Sequence, residues 1–132
     1  MITTHSKDPR YLVEFTDGQH QALADVGPVK GGQGAGFGPH ELMEASLATC
    51  INMWIRMQAD KLGIPVGPIS VTVTLKRDDP QQAIFQYSIN LEGPLSPEHR
   101  ATLLQVADNC PVRKTLLKTL SFQRVAAAMP AL

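Results

Sequence analysis

Cysteine is scarce in this 132-residue chain, aromatics make up only 5%, and the 12 basic residues are balanced by 12 acidic ones, leaving no formal charge. Each shortage removes a class of protein. Two cysteines cannot staple a small secreted scaffold, which needs several bridges to compensate for a thin core. A zero charge balance argues against nucleic acid as a partner, because its binders carry a basic excess that neutralises phosphates. No run approaches the roughly 20 apolar residues that span a bilayer, and the polar stretch from Met1 to Tyr11 lacks the apolar centre of a signal peptide. The expectation is a single domain over 1–132 in the cytoplasm, where a pair of thiols serves redox chemistry, metal binding or plain burial.

The elements follow from spacing. Tyr11–Phe15 and Ala22–Ala24 flank Asp17-Gly18, a strong turn signal, and read as a β-hairpin. Glycine at 27, 31, 32, 34, 36 and 38 then makes regular structure untenable. Pro39 suits a first helical turn, and His40 to Leu62 contains neither Gly nor Pro. On that helix Glu44, Asn52, Arg56 and Asp60 form one narrow polar stripe, while Met43, Leu47, Cys50, Ile51, Trp54 and Ile55 cover the rest. So much apolar surface predicts a helix wrapped on most sides, by other elements or by a second subunit.

Beyond Gly63 and Pro65, Ile69, Val71, Val73 and Leu75 alternate with polar residues, as do Phe85, Tyr87, Ile89 and Leu91. Two half-exposed strands, paired antiparallel, are expected. Ser96-Pro97-Glu98 opens a helix through Leu103, Leu104, Val106 and Ala107, and Asn109-Cys110-Pro111 opens a short one with Leu116, Leu117 and Leu120. Phe122 to Val125 reads as a last strand. The fold class is α+β, with antiparallel sheets around a long, largely buried central helix.

Few residues qualify for chemistry. The glycine stretch places Phe37 where a dinucleotide loop needs its third glycine, and no Gly-Lys-Ser/Thr follows. His5, His20, His40 and His99 lack the paired spacing of metal ligands, so they read as surface residues, with no metal and no cofactor expected. The cysteines are better placed. Cys110 stands before Pro111 at a helix start, where free N–H groups favour thiolate, and from residue 110 onward Arg113, Lys114, Lys118 and Arg124 meet no acid. Cys50 on the long helix and Cys110 at a helix terminus would suit a dithiol in which one thiolate attacks a peroxide and the other resolves the sulfenic acid. Burial of both as inert thiols, in a structural or interaction module, is the plainer alternative.

Gly-Pro-His-Glu-Leu-Met-Glu-Ala-Ser-Leu-Ala-Thr-Cys, residues 38–50, closely resembles the motif around the first cysteine of the OsmC/Ohr family, and Cys110-Pro111-Val112 resembles its second signature. The likeness spans nearly the whole chain. It implies a thiol peroxidase acting on hydroperoxides, an intertwined homodimer with active sites at the subunit interface, and a dithiol reductant of lipoyl or thioredoxin type. Position by position, it casts Cys50 as the peroxidatic and Cys110 as the resolving cysteine. Members specialised for organic hydroperoxides pair an early Arg with a Glu ten residues before the first cysteine. Here that position is His40, the acid is Glu41, and no Arg lies between Tyr11 and Ile55, leaving Arg10 and Lys30 as the early cations. On a continuous helix Glu41 lies two and a half turns from Cys50 and opposite it, so it serves this cysteine only if the helix starts later or the acid acts across a dimer. A dimer that holds a hydrophobic small molecule in its apolar cleft, with regulatory thiols, is the alternative from the binding class.

Overall fold

The computed structural model describes residues 1–127. Three short strands, β1 (Thr3–Ser6), β2 (Val13–Thr16) and β3 (Gln21–Ala24), form an antiparallel sheet in the order β1-β2-β3. The expected hairpin is β2 and β3, closed by Asp17, whose carboxylate accepts the N–H groups of Gln19 and His20. Strand β1, polar and without an apolar alternation to announce it, adds a third member through the pairing of Thr3 with Thr16. This sheet is thinly covered, with β1 exposed along its length.

The glycine-rich segment is organised by Asp25. Only 4% exposed, its carboxylate accepts N–H bonds from Val26 at 2.8 Å, Gln33 at 3.2 Å and Ala35 at 3.1 Å, so that the loop curls around one buried acid. Two glycines are needed for packing: a Cβ on Gly32 would lie 2.0 Å from the Val26 carbonyl oxygen, and one on Gly36 would lie 2.2 Å from that of Leu23. These bonds, led by the one from Ala35, hold the Asp25 carboxyl below its ordinary value of 3.8. A lowered folded value means that the loop gains stability above about pH 4 and loses it as pH falls through the folded pKa. An NMR titration of the Asp25 carboxyl and the Ala35 amide should therefore show a shared midpoint below 3.8. A midpoint at or above that value would remove this role.

Helix α1 (Pro39–Leu62) starts on Gly38, with Glu41 reaching back to accept the Gly38 N–H at 3.0 Å. It stops at Gly63, whose φ of 68° lets the Ile64 N–H return to the Ala59 carbonyl. Strands β4 (Ile69–Lys76) and β5 (Ile84–Leu91) pair antiparallel from Ile69–Leu91 to Lys76–Ile84, as their alternation predicts. Helix α2 (Pro97–Ala107) is capped by Ser96, which accepts the His99 N–H, and α3 (Pro111–Leu116) follows after a short turn. The core is the stripe Leu47, Ile51, Ile55 and Ala59 of α1 closed by Leu91, Leu103, Ala107 and Cys110.

Three of the four polar residues on the α1 stripe turn inward, while Asp60 stays exposed: Glu44 accepts the Leu75 N–H at 2.8 Å, Asn52 donates to the Ile69 carbonyl at 2.9 Å, and Arg56 donates to the carbonyls of Val66 and Gly67 at 2.7 and 2.6 Å. Glu44 and Asn52 thus bond backbone groups of β4, and Arg56 the carbonyls of the turn that leads into it. Apolar residues take the outer face instead, with Met43, Met53 and Met57 exposed by 43%, 57% and 57%. One expectation needs correction: the last strand is missing. From Thr119 to Ala127 the chain has no regular structure, and Phe122 and Val125 are exposed and pair with none of the described strands.

Candidate active site

Helix α1 and the α2–α3 turn bring Cys50 and Cys110 together. Cys50 lies midway along α1 and is half-buried, at the floor of an open cleft of about 400 Å³. The cleft is lined by Ser46, Thr49, Met53, Trp54, Met57, Pro111 and Val112, an apolar wall with two hydroxyls. Cys110 caps α3, with no solvent exposure. Pro111 in the first turn has no N–H, so the next two amides are free: Val112 N–H points at the Cys50 sulfur at 3.5 Å, and Arg113 N–H at the Cys110 sulfur at 3.4 Å. One short helix start thus addresses both sulfurs. They are neighbours but remain free thiols.

The expected thiolate at Cys110 is not what the structure holds. Burial pushes the Cys110 thiol above its ordinary value, and the neighbouring Cys50 adds to the rise, against a smaller opposing effect of the Arg113 and Val112 amides. The basic segment does not rescue it, because the Arg113 guanidinium turns away from the sulfur and donates to the Asp108 carbonyl at 2.8 Å. A helix start lowers a thiol pKa only when the thiol is not also stripped of water.

Glu41 is not part of this cluster within one chain. Helix α1 starts at Pro39, so there is no late start to bring the acid round, and nine residues of helix put it about 13 Å along the axis from Cys50. The four histidines are all exposed, and among the described residues no three His, Cys, Asp or Glu side chains meet as a metal site. Sequence reasoning missed the turn that seats Cys110. Trp54 donates its indole N–H to the Val106 carbonyl at 3.0 Å, and the Tyr87 hydroxyl donates to Asp108 at 2.5 Å. The donors lie 52 and 21 residues from their acceptors, and no local pattern reports such a contact.

Residues 32–123, well over half of the chain and including both cysteines, match the family described as OsmC-like protein. The chain belongs to the OsmC-like family. Solved structures carry the same fold. An OsmC-like protein from Mycoplasma pneumoniae superposes with a TM-score of 0.70 at 22% identity, covering 88% of this chain and 85% of that one. An organic hydroperoxide resistance protein OsmC from Legionella pneumophila gives 0.61 at 23% identity over 89% and 88%. The organic hydroperoxide resistance protein OhrB of Bacillus subtilis gives 0.58 at 21% identity over 89% of each chain. No curated relative matches the chain. At these identities the neighbours support the α+β architecture of this OsmC-like chain. Among the described residues no helix is long and apolar enough to cross a membrane.

Proposed function

We propose that this OsmC-like protein is a cysteine-based hydroperoxide reductase, with Cys50 the attacking and Cys110 the resolving thiol. The observation that carries it is the pairing of a half-exposed Cys50 on an open apolar cleft with a wholly buried Cys110 behind it. The Cys50 thiolate attacks the outer oxygen of a hydroperoxide, the O–O bond breaks, and the alkoxide takes a proton and leaves as alcohol, giving Cys50 sulfenic acid. The Val112 amide is placed to hold charge on that sulfur. The Cys110 sulfur then attacks Cys50, its proton and the sulfenic hydroxyl leave as water, and a disulfide forms. A dithiol reductant of lipoyl or thioredoxin type returns both thiols. The apolar cleft favours organic hydroperoxides, so turnover of t-butyl or cumene hydroperoxide with dihydrolipoamide or thioredoxin is the test. Absence of both turnover and peroxide-dependent Cys50 sulfenic acid would overturn the proposal.

The working unit is a homodimer. Met53 and Met57 on the rim of the Cys50 cleft, and the thin cover of the first sheet, are surfaces that a second copy would bury. Only across such an interface does Glu41 come to bear on a Cys50 site, that of the partner. Sedimentation at micromolar concentration should give twice the 14.3 kDa chain mass, and a persistent monomer would count against the assembly.

A second reading has its own support. An apolar cavity of about 600 Å³, lined by Met43, Leu47, Leu75, Phe85, Leu116 and Leu117 among others, is of a size to hold a hydrophobic small molecule. Carry-through of such a molecule in native mass spectrometry, with peroxide-inert thiols, would favour a binding protein whose thiols are regulatory.

A further inference from the structure

Disulfide formation needs the two cysteine Cα atoms within about 4.4–6.8 Å and the sulfurs in bonding contact, and both cysteines are free thiols here. Cys50 is fixed on a 24-residue helix whose buried stripe anchors the core. Cys110 sits in the α2–α3 turn, so the placement of that turn decides how it meets Cys50. Three side chains tie that turn down. Trp54 holds the Val106 carbonyl from the α1 side. On the opposite side the Tyr87 hydroxyl, on β5, donates to the Asp108 carboxylate at 2.5 Å, while Arg113 reaches back from α3 to the Asp108 carbonyl at 2.8 Å and lies against the same hydroxyl. Asp108 is exposed and could take its bonds from water, so the protein gains nothing in desolvation from this arrangement. What the ties supply is position: Asp108 is two residues before Cys110, and Arg113 donates its own N–H to the Cys110 sulfur.

We propose that Tyr87, Asp108 and Arg113 form a clamp that holds the Cys110 turn facing Cys50 and thereby sets the rate at which the disulfide closes. They are positioning residues; none lines the Cys50 cleft. The clamp rests on the dithiol reading only in its physiological use, because any oxidant that activates Cys50 must be followed by the same closure. Diamide provides that independence: the Cys50 thiol adds across its N=N bond, and Cys110 displaces the resulting hydrazide from sulfur, leaving a disulfide and the reduced hydrazine.

The test follows reduced protein with diamide in rapid-quench mass spectrometry, separating adduct formation from ring closure. Tyr87→Phe, which removes one hydroxyl and keeps the ring, should leave adduct formation unchanged and slow closure about fivefold, the effect of losing one good hydrogen bond. Asp108→Ala should slow closure by a similar factor, and the double variant by little more, because both changes release one device. Asp108→Asn keeps an acceptor oxygen and should restore most of the rate. A merely structural role would not separate the two steps or be rescued by Asn. With peroxide, slower closure should appear as more Cys50 sulfinic acid in Tyr87→Phe than in the parent. Closure rates within twofold of the parent in both Tyr87→Phe and Asp108→Ala would overturn the clamp. If the diamide arm behaves as stated while peroxide leaves Cys50 untouched, the clamp stands and the peroxidase reading fails.

Discussion

Cys50→Ser is expected to lower hydroperoxide turnover at least about a thousandfold, to the background of peroxide in buffer. Ser presents a hydroxyl whose pKa lies far above that of a thiol and whose oxygen does not attack a peroxide, so the first bond cannot form. The second cysteine does not substitute. Cys110 has no solvent exposure, and that burial holds its thiol protonated. The same geometry separates the two single variants. Cys110→Ser should still consume one equivalent of peroxide, because Cys50 keeps its cleft and its amide contact to Val112. It then stops as sulfenic acid, which dimedone traps, or proceeds to sulfinic acid. Alkylation adds a check without peroxide: in the reduced parent, iodoacetamide should modify Cys50 well before Cys110. Full turnover in Cys50→Ser, or equal labelling of the two thiols, would remove Cys50 from its role.

Ile51→Ala should cost about 2–5 kcal/mol, among the largest stability losses expected from truncating one core side chain here. Ile51 has no solvent exposure and packs in the stripe Leu47, Ile51, Ile55 and Ala59, where α1 meets α2 and β4–β5. Removing three carbons leaves a hole that neighbours on three different elements cannot all move to fill. Urea unfolding at fixed protein concentration measures it, since a dimer's midpoint depends on concentration. Met53→Ala, two residues on, is the instructive contrast. In one chain Met53 is 57% exposed, and its truncation should cost less than about 0.5 kcal/mol. If a partner covers that face, the cost rises and grows on dilution. A loss under about 1 kcal/mol for Ile51→Ala would mean that the core relaxes around the gap.

Local chemistry made much of this legible in advance. The two alternating runs became β4 and β5 because a two-residue period has only one way to put every apolar side chain on one face. Helix α1 begins and ends where Pro39 and Gly63 said it would, since those residues act through their own backbone. The α3 start at Cys110-Pro111 was readable for the same reason. What failed were inferences that needed to know what stands opposite a residue. Phe122 and Val125 had the composition of a strand, yet they stay exposed and pair with none of the described strands. The stripe of Glu44, Asn52 and Arg56 could be seen along α1, but not that Glu44 and Asn52 bond the β4 backbone and Arg56 the carbonyls just before it.

The cysteines show the same division most sharply. Their motifs, their number and the neutral, bridge-poor character of the chain already pointed to a working dithiol in an α+β protein, because those properties are carried by residue type and spacing alone. Which thiol meets the solvent, and which is kept protonated, was decided only by tertiary structure. A helix start seen along the chain promises stabilised negative charge, whereas the folded molecule buries Cys110 under α1 and α2, and loss of hydration outweighs the Arg113 amide bond at 3.4 Å. Hydration is set by everything packed around an atom, and sequence order reports only the neighbours along the chain.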